Sequence, residues 1–138
     1  MAQPEGETGE EPETRLRVLV ADDHPLMRSD LVRVLAGHPD LSVVGAAADG
    51  AAAVAMAQRL RPDVVLLDIR MPRLDGLQAA REIVRLGLGA VVLMSTYDAA
   101  TYAAAAERVG AVACISKLVP ESELVAAVLA AGCRPRTG

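Results

Sequence analysis

Four apolar runs in this chain end on residues able to do chemistry. "VLVADD" ends on Asp22 and Asp23, "VVLLD" on Asp68, "VVLMST" on Ser95 and Thr96, and "ACISK" on Lys117. Three carboxylates held close together repel, so at least one keeps its proton unless a cation joins them. Apart from His24, no histidine or cysteine accompanies them. An all-oxygen set of this kind suits Mg²⁺, which takes a few carboxylates and keeps several waters. A carboxylate beside Mg²⁺ can attack a phosphoryl group and form an aspartyl-phosphate. Ser95 could then donate a hydrogen bond to one phosphoryl oxygen, and Lys117 could neutralise another. Lys117 is the one lysine of the chain against thirteen arginines. A compact point charge at that place is chosen for its geometry rather than for charge alone.

Each residue taken alone has a plainer reading. An Asp after a strand is often a turn residue, and Asp22 or Asp23 could cap a helix beginning near Pro25. Ser95 alone reads as a turn residue and Lys117 as a solvated surface charge. His24 reads as a solvent-edge residue, His38 as a surface residue before Pro39, and Tyr97 and Tyr102 as packing residues. The joint pattern argues against these readings, because it would need four accidents at the ends of four strands.

The elements that must position these groups alternate five times. "RVLVA" (Arg17–Ala21) reads as a short buried strand. Leu26, Met27, Leu31, Val34 and Leu35 then recur at helical spacing, with Gly37 and Pro39 ending the run. "LSVVGAA" is a second strand, and an Ala-rich helix follows with Asp49 as a candidate cap and Pro62 as its stop. "DVVLLD" is a third strand, apolar on both faces. Leu77, Ala80, Ile83 and Val84 mark one side of the next helix, which Gly87 stops. "AVVLMS", a helix ending before Gly110, "AVACISK" and a last helix opening at Pro120 complete the series. Strand and helix repeated five times, with near-continuous apolar strands, argue a doubly wound α/β domain: a parallel sheet with helices on both faces. In such a sheet ligands bind at the carboxyl ends of the strands, which is where every residue named above falls.

At 138 residues and 52% apolar, the chain is one domain with one core of Val, Leu, Ala, Ile and Met. No apolar run approaches the length of about 20 residues that a transmembrane helix needs. The opening lacks the features of a signal peptide, and Cys114 and Cys133 form neither a metal motif nor a disulfide framework. The expected location is cytoplasmic, with reduced thiols. The formal charge of −4 is uneven: residues 1–14 carry five Glu and no basic side chain, leaving about +1 for the rest. We expect a disordered acidic leader over 1–14, the folded domain over 15–131, and a tail or linker start over 132–138. No basic block suggests that this domain binds nucleic acid.

In this order, "LVADDHPLMR", "VVLLDIRMPRLDGL", "VVLMSTYD" and "GAVACISK" resemble the receiver domain of two-component response regulators, over residues 17–131. The first segment, and the lack of a Pro directly after Lys117, are most similar to the NarL/LuxR-type branch. The resemblance implies a flavodoxin-like (βα)5 fold with strand order 2-1-3-4-5 and a phosphorylation-activated signalling switch. It implies Asp68 as phosphoryl acceptor, with Ser95 and Lys117 completing the site. It implies Mg²⁺ held by Asp22, Asp23, Asp68 and the backbone carbonyl of Arg70. A sensor histidine kinase is the implied partner, and a DNA-binding output domain the implied target of control. Homodimerisation through the fourth helix, fifth strand and fifth helix, or through the first and fifth helices, is a further implication. Gly76 is expected to relieve backbone strain in the loop after Asp68.

One position departs from the family pattern. Where an aromatic residue usually stands three places before the lysine, this chain has Cys114. A thiol cannot act as the swinging ring of the usual switch, so Tyr97 or Tyr102 is expected to report the change instead. The bulk of Arg70 and Tyr97, two residues after Asp68 and Ser95, leads us to expect slow self-dephosphorylation.

Other functions fit less well. A phosphatase or phosphotransferase of the aspartyl-nucleophile class would want a second Asp where Arg70 stands. A nucleotide-binding domain would want a Gly-rich phosphate loop, and none is present. A stand-alone or phosphorylation-independent interaction module keeps some support from Cys114.

Overall fold

The computed structural model describes residues 15–96 and 99–133. The chain alternates strictly: β1 (Leu16–Ala21), α1 (Pro25–Ala36), β2 (Leu41–Ala47), α2 (Gly50–Leu60), β3 (Val64–Asp68), α3 (Gly76–Arg85), β4 (Ala90–Ser95), α4 (Ala99–Val109), β5 (Ala113–Ser116) and α5 (Glu121–Gly132). The five strands pair in parallel in the order 2-1-3-4-5. The doubly wound flavodoxin-like expectation holds, including the strand order. None of the described helices is long and apolar enough to cross a membrane.

Period-two alternation sorts the sheet into two layers. Leu19, Val65, Leu67, Val91 and Leu93 pack with Ala53, Ala57, Ala80, Ile83 and Ala106, under α2, α3 and α4. Val18, Val20, Val64, Leu66, Val92 and Met94 pack with Leu31, Leu35, Leu124 and Val128, under α1 and α5. β1, β3 and β4 are lined by fully buried residues, so these three strands form the centre of the core. β5 is an edge strand, at the end opposite β2, and only partly covered.

Local chemistry sets the helix ends. α1 opens with Pro25, whose fixed φ is already helical. Asp49 caps α2, its side chain accepting from Ala52 N at 2.8 Å. Asp75 and Gln78 form a reciprocal capping box at the start of α3. α5 carries Glu121 and Glu123 in its first turn, where they face the helix dipole's positive end.

Several expectations are corrected. Leu26 does not join the apolar face of α1; it is 87% exposed, because it lies at the helix start on the side away from the sheet. Neither Asp22 nor Asp23 caps α1: His24 occupies the cap position, and no side chain caps it. Pro120 is the cap residue of α5 rather than a first-turn residue, and the helix runs to Gly132. β5 is shorter than "AVACISK", since the register with β4 runs only from Ala113 to Ser116. The leader over 1–14 and the tail beyond Cys133 lie outside the described residues, as does Tyr97.

Candidate functional site

Asp22, Asp68, Ser95 and Lys117 all lie at the carboxyl ends of strands. Asp22 directly follows β1, Asp68 ends β3, Ser95 ends β4, and Lys117 directly follows β5. Asp22 continues the alternation of Val18 and Val20, and Asp68 that of Val64 and Leu66. Lys117 continues that of Ala113 and Ile115. All three series belong to the layer under α1 and α5. Three groups from three strands therefore converge on one side of the sheet edge. Ser95 continues Val91 and Leu93, the layer under α4. It is buried, and its carbonyl accepts from Lys117 N at 2.8 Å, tying the end of β4 to the residue after β5.

The Lys117 ammonium lies 2.8 Å from Asp22 Oδ2 and 2.9 Å from Asp68 Oδ2, with all three side chains nearly sealed. Only the contact with Asp68 is a well-directed hydrogen bond. Asp22 Oδ2 is buried and receives no hydrogen bond, so the ammonium serves it as a close charge alone. The second oxygen of each carboxylate takes a backbone donor: His24 N to Asp22 Oδ1 at 2.9 Å, and Arg70 N to Asp68 Oδ1 at 3.3 Å.

Burial raises the Asp68 pKa, and the nearby Asp22 charge adds to the rise; hydrogen bonding and charge from Lys117, with the Arg70 N–H, oppose it. For Lys117 burial acts to lower the pKa, but the close Asp22 and Asp68 carboxylates prevail, and the ammonium is held protonated.

Asp23 is about one-third exposed and points to the rim. It lines an open cleft of about 540 Å³ together with Arg70, Met71, Pro72 and Tyr102. The donor set fits a hard cation: carboxylate oxygens at a sheet edge, one of them buried and short of a hydrogen bond, beside a cleft open to water. Asp22, Asp23 and His24 offer one donor atom each, all within 4.8 Å of one another.

Tyr102 and Cys114, two of the three candidate switch residues, both pack against the layer under α4. Gly76 has an ordinary φ, so it does not relieve strain as expected. Its role is close approach: a Cβ there would meet Asp68 O at 2.2 Å and Ile69 Cα at 2.6 Å. That approach lets Gly76 N bond Ile69 O at 2.7 Å and folds the "IRMPRLD" loop back on the acceptor strand.

Sequence reasoning missed Arg28 and read His24 only as a solvent-edge residue. Arg28 Nη1 donates to Asp22 O at 2.7 Å and pins the backbone beneath the acidic pair. His24 places Nδ1 3.5 Å from Asp23 Oδ1. Their signal was only proximity to the acidic pair, since one helical turn brings Arg28 back over the strand end.

Comparison with known proteins gives a consistent result. The family model for the response regulator receiver domain matches residues 18–129. A protein-glutamate methylesterase/protein-glutamine glutaminase of Myxococcus xanthus is 50% identical over 111 residues, covering 78% of this chain and 31% of the relative. The transcriptional regulatory protein YxjL of Bacillus subtilis is 37% identical over 118 residues, covering 85% of this chain and 54% of the relative. The chain thus spans a third to a half of the length of these relatives. Among solved structures, the signal receiver domain of the response regulator NarL from Mycobacterium tuberculosis superposes with a TM-score of 0.81 at 39% identity, covering 86% of this chain and 96% of that one.

Proposed function

This chain belongs to the response regulator receiver domain family, and from that premise we propose that it is a switch thrown by phosphorylation of Asp68. Receiver domains are signalling modules that bind Mg²⁺ at an acidic pocket. The observation that carries the reading is the single ammonium of Lys117 held between two buried carboxylates, Asp22 and Asp68.

In this reading one Asp68 oxygen attacks the phosphorus of a phosphohistidine on a sensor histidine kinase. The P–N bond breaks as the O–P bond forms, and the leaving imidazole takes up a proton. Asp22, Asp23, Asp68 and the Arg70 carbonyl would hold Mg²⁺, which supplies positive charge to offset the phosphoryl oxygens. Lys117, already 2.9 Å from Asp68, turns its ammonium from carboxylate to phosphoryl oxygen with little movement. Ser95 donates its hydroxyl to another phosphoryl oxygen. Its move draws on the layer under α4, where Tyr102 and Cys114 pack. A ligand state of this kind needs only a few kcal/mol of differential stabilisation to shift the population of the output face.

The transcriptional regulators among the relatives support control of a DNA-binding output domain. The methylesterase relatives make a catalytic output the alternative. The test is incubation with a small acyl-phosphate donor and Mg²⁺, followed by intact-mass analysis. A stoichiometric adduct that is lost in Asp68→Asn supports the switch. Sustained turnover of the donor would favour a phosphatase, and no adduct a phosphorylation-independent module.

A further inference from the structure

We propose that Asp49 and Arg73 are positioning residues for the acceptor: their ion pair fastens the loop after β3 to the start of α2 and sets how fast Asp68 takes a phosphoryl group. The inference rests on the reading above that Asp68 is phosphorylated. Arg73 Nε lies 3.2 Å from Asp49 Oδ2. The other oxygen of that carboxylate, Oδ1, accepts from Ala52 N at 2.8 Å and caps α2. One side chain thus anchors a helix and grips the neighbouring loop.

The loop needs a grip at that point. Leu74 N donates to Pro72 O at 2.7 Å across Arg73, whose φ is +69. A three-residue turn with a left-handed centre is strained, and a residue with a Cβ holds that backbone only where its surroundings impose it. The surroundings here are the start of α2. Gly50 is buried, and a Cβ on it would overlap Leu74 O and lie 2.6 Å from Leu74 C. The two backbones therefore touch, and the Asp49–Arg73 pair closes the same contact through side chains.

What the loop carries links this grip to the chemistry. Arg73 lies midway between Arg70, whose N–H donates to Asp68 Oδ1 at 3.3 Å, and Gly76, whose N–H donates to Ile69 O at 2.7 Å. Arg70, Met71 and Pro72 line the open cleft beside the acceptor, together with Asp23. If the loop loses its grip that wall shifts, and an error of about 1 Å at a reacting centre slows the step. A largely exposed ion pair contributes little in isolation. Here turn strain opposes the backbone contact, so a small added attraction changes how often the wall is in place. The competing account is that the Gly50 contact alone holds the loop and the ion pair is idle.

The experiment follows adduct formation on Asp68 by intact mass, with acetyl phosphate and Mg²⁺ at pH 7.5, together with the urea midpoint and the hydrogen-exchange rate of the Leu74 amide. Asp49→Asn keeps a capping oxygen and removes the charge. Arg73→Gly removes the charge and relieves the left-handed backbone. Arg73→Lys keeps a cation for what is a single contact through Nε. Arg61→Gly is the control, since Arg61 also has a positive φ, +52, but lies at the other end of α2. We expect Asp49→Asn and Arg73→Gly each to slow adduct formation about three- to fivefold, the most that an exposed ion pair shifts an equilibrium. Both should speed Leu74 exchange by a similar factor. Arg73→Gly should do this with a urea midpoint at or above wild type, a split that a merely structural role does not give. The double variant should be no slower than the slower single one, because the two act as a pair. Arg73→Lys should stay within about twofold of wild type, and Arg61→Gly should match it in rate and exchange. Wild-type rates in both single variants, losses that multiply in the double variant, or a Lys variant as slow as the Gly variant would each overturn the inference and leave Asp68 as the acceptor. If wild type forms no adduct, the phosphorylation reading fails and this inference with it.

Discussion

Lys117 Nζ lies 2.9 Å from Asp68 Oδ2 although β4 separates the strands that carry the two residues. The lysine follows the edge strand and reaches across its neighbour to the centre of the sheet, where it also meets Asp22 at 2.8 Å. A flexible four-carbon stem ending in a point charge makes that reach; a planar guanidinium would need a wider gap.

The first prediction follows from that contact. Lys117→Met keeps most of the stem and removes the charge, leaving two nearly sealed carboxylates without their shared counter-ion. We expect a loss of about 2 kcal/mol in Mg²⁺-free urea unfolding, below the penalty of a fully enclosed pair because the site borders an open cleft. The loss should shrink as pH falls, since carboxylates without a cation take up protons more readily. An unchanged urea midpoint would mean that the ammonium does not stabilise the pair.

Asp68→Asn should act in the opposite direction. Burial, then Asp22, raises the Asp68 pKa despite Lys117. A carboxyl group whose pKa is higher folded than unfolded binds its proton more tightly in the folded state. It therefore favours the fold most at pH below its unfolded value, and that benefit is lost as pH rises through the raised folded value. At pH 7.5 the neutral amide should stabilise the fold by on the order of 1 kcal/mol, about 4 °C in Tm for a domain of this length. The gain should fade on acidification and vanish below about pH 4, the ordinary Asp range. A Tm at or below wild type at pH 7.5 would contradict this account.

Two glycines make a paired test of the acceptor loop. Gly76→Ala puts a methyl 2.2 Å from Asp68 O, against backbone that cannot yield without moving the acceptor. We expect a loss of about 3 kcal/mol or more and a much slower adduct formation on Asp68. Gly87 has φ +67 and open space around its missing Cβ. Gly87→Ala should cost only about 1 kcal/mol, the price of a left-handed conformation, and leave adduct formation unchanged. Equal losses at both sites would show that the close approach at Gly76 is not what holds the loop.

The ends of the strands were legible because a period of two carries across each turn. Counting by twos along "VLVAD", "VVLLD" and "ACISK" places Asp22, Asp68 and Lys117 in the layer of Val18, Val64 and Ala113. The strand order came from the family resemblance, because no local pattern states which strands are neighbours. Close backbone contacts were not legible. Gly76 could be read as a turn residue, but its approach to Asp68 O depends on where two distant backbone segments meet. The same limit hid the bond from Arg28 to Asp22 O, and the exposure of Leu26, whose spacing on α1 looked as apolar as that of Leu31.

The last prediction concerns the thiol at the place of the missing aromatic. Cys114 is half-buried on β5, and burial alone pushes its pKa up, so little thiolate is present near neutral pH. Cys133, just past α5, is exposed. At pH 7.5 an aromatic disulfide reagent should modify Cys133 quickly and Cys114 at least about tenfold more slowly, so that Cys133→Ser shows only the slow phase. Cys114 packs in the layer under α4 with Tyr102, and Ser95 continues the strand alternation of that layer. If phosphorylation draws Ser95 inward, the space beside Cys114 changes, and its labelling rate should shift severalfold when Mg²⁺ and an acyl-phosphate donor are added. Asp68→Asn should abolish that shift, and Tyr102→Phe should reduce it. A slow phase that ignores the donor in Cys133→Ser, while mass analysis records the adduct on Asp68, would mean that the switch signal leaves the site without passing through this strand.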